Sequence, residues 1–199
     1  MRSLHQSFFT RPTPVVAHDL IGCIIEHTLS ANDIRALRLV ETEAYLAEND
    51  AACHASLRRT KRNEAMFDVG GVLYVYLVYG MHHCANIVTE VADRGCAVLL
   101  RAGEVIPSGQ FDKARAQALS AMDARIAAGP GKLAKYMGFT PAHNHASVCD
   151  GTVRVFEDDL TLKYRKAIVT TTRIGITKDA DLLLRFYAAN STAVSKTAS

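Results

Sequence analysis

Two glutamates and a tyrosine alternate along one short run, Val40-Glu41-Thr42-Glu43-Ala44-Tyr45. The two-residue period from Ile34 to Tyr45 predicts a half-buried strand, which places Glu41, Glu43 and Tyr45 on one face. Hydrolysis of a glycosidic bond needs a carboxylate near the anomeric carbon. At an ordinary pKa of about 4.3, Glu43 is ionised at neutral pH and can take a proton from water. Glu43 is therefore a candidate general base, whereas Glu41 receives no role.

Aromatic residues form a second group with possible chemistry. Val72 to Tyr79 and Cys84 to Thr89 are rich in β-branched and aromatic residues on either side of a glycine, which predicts a hairpin. Alternation puts Tyr74 and Tyr76 on one face and Tyr79 near the exposed tip. Such tyrosines most often only pack within a sheet. A flat aromatic wall and a protruding wedge are, however, what a protein that flips bases out of DNA needs.

The other predicted helices, strands and loops of the fold must position these residues. Thr13-Pro14 predicts the N-cap and first turn of a short helix, and the loop region 47–71, which contains His54, has no clean period. The other predicted elements are strands at 23–26, 96–101, 153–156, 167–172 and 182–187, and helices at 112–128 and 132–137. Their order predicts an α+β fold: a single domain with a largely antiparallel curved sheet, a protruding β-hairpin and surrounding helices.

Composition sets the class of protein. The chain has 199 residues, 49% of them hydrophobic, which suits one globular domain. A net charge of +3 permits a polyanionic partner without requiring one. The five cysteines form no CxxC pair, and neither a signal peptide nor an apolar run that could span a membrane is visible. We expect reduced thiols in the cytoplasm, and a domain over residues 1–189 followed by a disordered Ser/Thr/Ala-rich tail, 190–199.

Three groups of histidine and cysteine could bind a metal: Cys53-His54, His82-His83-Cys84 and His143-x-His145-x3-Cys149. None has the paired spacing of zinc sites, so packed or surface histidines are the simpler interpretation. The segment Gly129-Pro130-Gly131-Lys132 lacks the other residues of a P-loop, and the pattern of the zinc deaminases is missing. The sequence therefore predicts no metal and no cofactor.

Several segments, in one order along the chain, resemble the alkyladenine (3-methyladenine, methylpurine-type) DNA glycosylases. They are VETEAYL (40–46), TKRNEAMF (60–67), LYVYLVYGMHHCANI (73–87), VLLRA (98–102), GPGKL (129–133), RIGI (173–176) and LRFY (184–187). The resemblance implies hydrolysis of the N-glycosidic bond of damaged purines, such as 3-methyladenine, 7-methylguanine, hypoxanthine and ethenoadenine, without a metal or a covalent lysine intermediate. We expect damaged double-stranded DNA as the partner of a monomeric cytoplasmic enzyme, associated with the nucleoid if bacterial.

The resemblance also implies a role for each matching residue. Glu43 matches the general base, and Arg101 matches a residue that helps to hold the water and the phosphate of the target nucleotide. The backbone carbonyl of Ile174 matches a third ligand of that water. Tyr45, His54 and Tyr76 match the aromatic residues that sandwich the flipped base. Tyr79 matches the wedge that fills the vacated stack, and Asn86 matches the residue that penalises the exocyclic amine of guanine.

Two alternatives from other classes use the same residues. A non-catalytic nucleic-acid-binding domain on the same sheet predicts salt-dependent binding without base release. A metal-dependent nuclease would use Glu41, Glu43 and Asp50 to hold Mg²⁺, and predicts the loss of all activity in EDTA. Base release from a damaged duplex in EDTA separates these hypotheses.

Overall fold

The computed structural model describes residues 1–78, 80–106 and 125–198, and in this part of the chain nine strands form one antiparallel sheet. The strands are β1 (Arg2–Ser3), β2 (Ile24–Ser30), β3 (Asp33–Tyr45), β4 (Leu73–Val78), β5 (His82–Thr89), β6 (Cys96–Ile106), β7 (Val153–Glu157), β8 (Ile168–Thr171) and β9 (Arg185–Ala188). Their order is β1-β7-β2-β3-β6-β5-β4, and β9 pairs with both β3 and β8. The predicted α+β class with a largely antiparallel sheet is confirmed.

Short helices accompany the sheet. The α-helices are α1 (Gln6–Phe9), α2 (Thr13–Asp19), α3 (Pro130–Met137) and α4 (Thr161–Arg165), and the 3-10 helices are Glu64–Phe67 and Pro141–His143. The N-cap position of α2 is occupied by Pro12 rather than by the predicted Thr13. As predicted, α3 stops at Gly138, whose φ of 73° is a left-handed conformation that glycine adopts without strain. No helix among the described residues is long and apolar enough to cross a membrane. Most of the predicted helix 112–128 lies outside those residues.

The long strand β3 is paired along both edges, and this pairing positions the acidic run. Its first half pairs with β2, its second half pairs with β9, and β6 follows the opposite edge. The register between β3 and β6 shifts on both sides of Glu41, so that Arg101 falls between the pairs Glu41–Ala102 and Thr42–Leu100. An irregularity of this kind redirects side chains. Here it lies where Arg101 approaches two carboxylates.

Two hydrophobic clusters hold the sheet and the loop region. The larger cluster packs α1, α2 and α3 against the sheet through fully buried residues such as Phe9, Leu20, Leu39 and Leu133. The smaller cluster lies between the loop region and the sheet, and contains Cys53, Ala55, Ala65, Met66, Tyr74, Val88 and Ala97. This second cluster fixes the loop on either side of His54 against the hairpin formed by β4 and β5.

The C-terminal segment 190–198 differs from the disordered tail that its composition predicts. Ala193 is fully buried and Val194 is 5% exposed. The N–H of Ser195 donates a hydrogen bond of 2.7 Å to Glu41. The composition is misleading here because small apolar side chains and main-chain hydrogen bonds are enough to hold a short segment when a buried acceptor lies beside it.

Candidate active site

A cavity of about 500 Å³ lies beside β4, β5 and β6, and is also lined by residues of the loop region and of the segment 174–176. The site residues predicted from the sequence that line it are Tyr45, His54, Tyr76, Asn86, Arg101 and Ile174. Glu43 lies directly behind this lining and is fully buried. The structure therefore brings seven of the eight predicted residues together. The eighth, Tyr79, lies outside the described residues.

Hydrogen bonds hold both oxygens of the Glu43 carboxylate. The hydroxyl of Tyr45 donates to Oε2 at 2.9 Å, and Arg101 Nη1 lies 3.2 Å from the same oxygen. The backbone N–H of Ile174 donates to Oε1 at 2.8 Å. The amide of Ile174 is thus bonded to the carboxylate, and the role implied for its carbonyl, as a ligand of the water, stays a prediction. We call Tyr45, Arg101 and Ile174, with Glu43 behind them, the polar wall of the cavity.

The polar wall alters the acidity of Glu43. Burial raises the pKa of Glu43, because the loss of hydration outweighs the stabilisation of the carboxylate by Arg101, the Ile174 amide and the Tyr45 hydroxyl. The nearby charge of Glu41 acts in the same raising direction. A raised pKa makes the carboxylate a stronger base than a glutamate in water. Proton transfer by a general base is more effective when its pKa is closer to the operating pH.

Glu41, to which the sequence assigned no role, binds two arginines and the C-terminal segment. Its carboxylate is fully buried and accepts hydrogen bonds from Arg101 Nε at 3.2 Å, Arg185 Nη1 at 2.8 Å and the Ser195 N–H at 2.7 Å. Two carboxylates, those of Glu41 and Glu43, thus share Arg101. A buried carboxylate is tolerable only when it is paired and hydrogen-bonded in this way.

A second buried ion pair supports Tyr45 from behind. Arg173 binds Asp50 through two hydrogen bonds of 2.6 and 2.7 Å, and both side chains are fully buried. The Arg173 guanidinium also lies 4.6 Å from the centroid of the Tyr45 ring and donates to the carbonyl of Ala44. Sequence reasoning assigned no role to Arg173, although it begins the matching segment RIGI. The pair fixes the plane of Tyr45.

The opposite side of the cavity, which we call the aromatic wall, consists of His54, Tyr74 and Tyr76. The rings of Tyr74 and Tyr76 stack at 5.3 Å with an interplanar angle of 24°, and the His54 ring meets Tyr76 edge-on at 4.5 Å. The Tyr74 hydroxyl lies 3.1 Å from His54 Nδ1. Burial, and next the charge of Arg62, lowers the pKa of His54. The imidazole is consequently neutral at pH 7.

The loop that carries His54 is organised by Asn63. Its side-chain amide donates to the carbonyls of His54 and Arg58 at 2.8 and 3.0 Å, and its oxygen accepts from the N–H of Thr60 at 2.6 Å. Asn63 is only 4% exposed. The asparagine of the matching segment TKRNEAMF therefore has a structural explanation, since its hydrogen bonds to the backbone hold a loop that has little regular secondary structure.

Asn86 forms part of the floor between the two walls. It is 4% exposed, and its side-chain N–H₂ donates to the carbonyl of Tyr74 at 3.0 Å. Its neighbours across the sheet are Tyr74 on β4 and Leu99 on β6. This bond orients the amide within the lining of the cavity.

The acidic residues proposed for a metal-dependent nuclease are occupied by arginines. Glu41 and Glu43 both contact Arg101, whereas Asp50 is bound by Arg173. Across the part of the chain that the structure covers, no three His, Cys, Asp or Glu side chains are grouped as metal ligands. The geometry instead presents one hydrogen-bonded carboxylate at the edge of an aromatic cavity.

Comparison with known proteins gives a consistent family. A family model described as methylpurine-DNA glycosylase matches residues 7–192. A protein of Methanocella arvoryzae named "Putative 3-methyladenine DNA glycosylase" is 45% identical over 100% of this chain and 98% of its own. Proteins with the same name from Chlorobium phaeobacteroides (44% identical, 98% and 96% covered) and Trichodesmium erythraeum (40% identical, 97% and 97% covered) are also similar. The chain belongs to the methylpurine-DNA glycosylase family.

Proposed function

We propose that this protein is a monofunctional DNA glycosylase that removes alkylated or deaminated purines from duplex DNA. The substrates would be 3-methyladenine, 7-methylguanine, hypoxanthine and ethenoadenine, each flipped out of the helix into the cavity and released to leave an abasic site. Family membership and the names of the relatives support the reaction class. The observation that carries the proposal is the Glu43 carboxylate, held by two hydrogen bonds and an ion pair at the edge of an aromatic cavity.

The bonds of Glu43 suggest which oxygen binds the water. Among the described residues, Oε2 accepts a hydrogen bond from Tyr45 and also lies 3.2 Å from Arg101 Nη1, whereas Oε1 accepts one hydrogen bond, from the amide of Ile174. A carboxylate oxygen has two lone pairs, so Oε1 keeps one for a water molecule. In the reaction Glu43 takes a proton from this water, whose oxygen bonds to C1′ of the deoxyribose. The electron pair of the C1′–N9 bond leaves with the base.

The aromatic residues account for the choice of damaged purines. A purine ring inserted between Tyr45 and the aromatic wall would stack on flat side chains. A purine alkylated at N3 or N7, as in 3-methyladenine and 7-methylguanine, carries a positive charge while it is attached to the sugar, and aromatic faces attract this charge by about 0.5–2 kcal/mol beyond stacking. Because His54 is neutral at pH 7, it does not repel this charge. Such a base also leaves as a neutral molecule, which lowers the barrier to bond cleavage.

The resemblance adds two finer roles. Tyr79 follows β4 and immediately precedes Gly80, whose φ is 69°, and Met81 beside it is 74% exposed. By the resemblance, Tyr79 would fill the space that the flipped nucleotide leaves. Asn86 would disfavour normal guanine through a clash with its exocyclic amine. We also propose that Arg58 to Arg62, a basic run beside the cavity, contacts DNA phosphates.

Incubation with damaged duplexes tests the proposed function. Oligonucleotide duplexes that each contain one of the four lesions are incubated with the protein in excess EDTA, and the abasic product is detected after alkaline cleavage. An undamaged duplex of the same sequence is the control. Release of base from at least one lesion in EDTA is expected. DNA binding without any release would instead support the non-catalytic alternative, and activity that disappears in EDTA would support the nuclease.

A further inference from the structure

Glu41 is the buried carboxylate that the proposed reaction does not use. It accepts hydrogen bonds from the side chains of Arg101 and Arg185 and from the backbone N–H of Ser195. The same Arg101 places Nη1 3.2 Å from Glu43. One connection from the C-terminal segment to the proposed general base therefore runs through Glu41 and Arg101, by contacts of 2.7, 3.2 and 3.2 Å.

We propose that Glu41 and the C-terminal segment position Arg101, and that the protein needs this segment to place the guanidinium correctly against Glu43. Glu41 is a positioning residue in this proposal, because it acts through Arg101 and does not touch the substrate. The inference rests on the proposed function, since it concerns the geometry of the proposed general base.

The geometry explains why one arginine needs two supports. Arg101 is shared by two carboxylates, and a guanidinium placed between two acceptors moves toward the one that is less satisfied. Arg185 and the Ser195 N–H supply two of the three donors of Glu41, which leaves it with one bond from Arg101 Nε. Arg101 Nη1 is then free to remain on Glu43. Without the Ser195 N–H, Glu41 would draw Arg101 away from Glu43.

The C-terminal segment is anchored independently of this bond. Ala193 and Val194 are buried, and the carbonyl of Lys196 accepts a hydrogen bond of 2.8 Å from Arg185. The Ala198 N–H donates to the hydroxyl of Tyr187 at 3.0 Å. A change confined to the Ser195 amide therefore leaves most of the attachment in place, which makes this amide a suitable point for a test.

The test compares Ser195→Pro, which removes the N–H, with Ser195→Ala, which keeps it. The Ser195 hydroxyl is buried without a partner among the described residues, so Ser195→Ala removes no hydrogen bond and is the conservative counterpart. In single-turnover assays on a duplex containing hypoxanthine, Ser195→Pro is expected to release the base roughly tenfold to a hundredfold more slowly than Ser195→Ala. The dissociation constant for the duplex, measured by fluorescence anisotropy, should change little.

The pH profile separates positioning from simple destabilisation. The rate falls at low pH because Glu43 becomes protonated, so the acid limb reports its pKa. In Ser195→Pro, the weakened contact of Arg101 with Glu43 should move this limb to higher pH. In Glu41→Gln, the negative charge beside Glu43 disappears, which should move the limb to lower pH. A purely structural role of the segment predicts less folded protein and an unmoved limb in Ser195→Pro. The shift in Glu41→Gln follows from the lost charge and checks that the limb reports Glu43.

Two outcomes would overturn the inference. One is a rate and acid limb for Ser195→Pro equal to those of Ser195→Ala, with both proteins folded by thermal melting. The other is an acid limb for Ser195→Pro that coincides with that of Ser195→Ala although the rate of Ser195→Pro falls. If the wild-type protein releases no base in the same assay, it is the proposed function that fails, so the two failures are distinguishable.

Discussion

The two walls of the cavity both combine residues of the sheet with one loop residue, His54 or Ile174, but they are held in different ways. The polar wall depends on ion pairs and hydrogen bonds between distant parts of the chain: Arg185 is 144 residues from Glu41, and Arg173 is 123 residues from Asp50. The aromatic wall depends on neighbouring strands of one hairpin and on ring stacking. The charge that develops during hydrolysis is stabilised by fixed dipoles, whereas the recognition of several bases requires flat surfaces on which different bases can stack.

This difference predicts how the walls respond to substitution. A change in the polar wall leaves a buried charge without its partner, and its effect should be large and specific to the chemical step or to folding. A change in the aromatic wall removes contact area, and its effect should be moderate and spread over binding and catalysis. The following predictions test this difference between the two walls.

The largest effect is expected from Glu43→Gln. The amide cannot accept a proton from water, so base release should slow by at least about 10²–10⁴-fold, while the duplex remains bound. Single-turnover assays and anisotropy measure the two quantities. Glu48→Gln is the matched control, because Glu48 lies in the same region but is exposed and forms a surface ion pair with Arg94. Near-normal turnover of Glu43→Gln would remove this residue from its role.

Asp50→Asn should have the next largest effect, on folding. It leaves Arg173 buried without its counter-ion, and breaking a buried pair in this way lowers the free energy of unfolding by about 3–5 kcal/mol. Urea denaturation followed by circular dichroism measures this loss. Asp93→Asn, which breaks an exposed pair with Arg59, should cost only about 0–1 kcal/mol. Equal losses in the two variants would contradict the importance of the buried pair.

The same contrast explains what the sequence could and could not predict. Alternation along β3 correctly predicted that Glu41, Glu43 and Tyr45 share a face, because the period of a strand is a local property. The hairpin and the neighbouring positions of Tyr74 and Tyr76 were predictable for the same reason.

The partners of Glu41 were not predictable in this way. Arg185 and Ser195 reach it only after the chain has crossed the sheet, and Arg101 reaches it from a shift in strand register that no local pattern indicates. The contacts of the C-terminal segment were missed because they are made with distant residues, such as Arg185 and Tyr187. Long-range pairing of charges is a property of the tertiary structure, and of these arginines the resemblance to a family suggested only Arg101.

Tyr76→Ala should have a moderate effect. It removes a ring that stacks on Tyr74 and faces His54, and the loss of one stacking partner for the base should cost about 1–3 kcal/mol. Tyr76→Phe keeps the ring and should recover most of this loss. Measuring the dissociation constant and the single-turnover rate for one lesion shows how the cost is divided. A loss confined to the chemical step would make the aromatic wall resemble the polar wall.

The smallest predicted effect concerns the charge of His54. Its pKa is lowered from 6.5, so the imidazole is neutral from neutral pH upward and becomes positive only as the pH falls below this range. A cationic base such as 7-methylguanine would then meet a like charge, whereas neutral hypoxanthine would not. The ratio of their release rates cancels the titration of Glu43, which both reactions share. This ratio should be constant between about pH 7 and 8 and decline at lower pH by several-fold, the size of one cation–aromatic contact.

In His54→Gln the ratio should lose its pH dependence, because glutamine has no charge to gain. Measurement of both lesions across the same buffers, at constant ionic strength, checks this expectation. If the decline persists in His54→Gln, another group senses the pH, and the neutral imidazole is not what allows the aromatic wall to accept a cation. If the ratio does not change with pH in either protein, the charge of His54 does not affect the choice of base. The aromatic wall then contributes to recognition through shape and stacking rather than through charge.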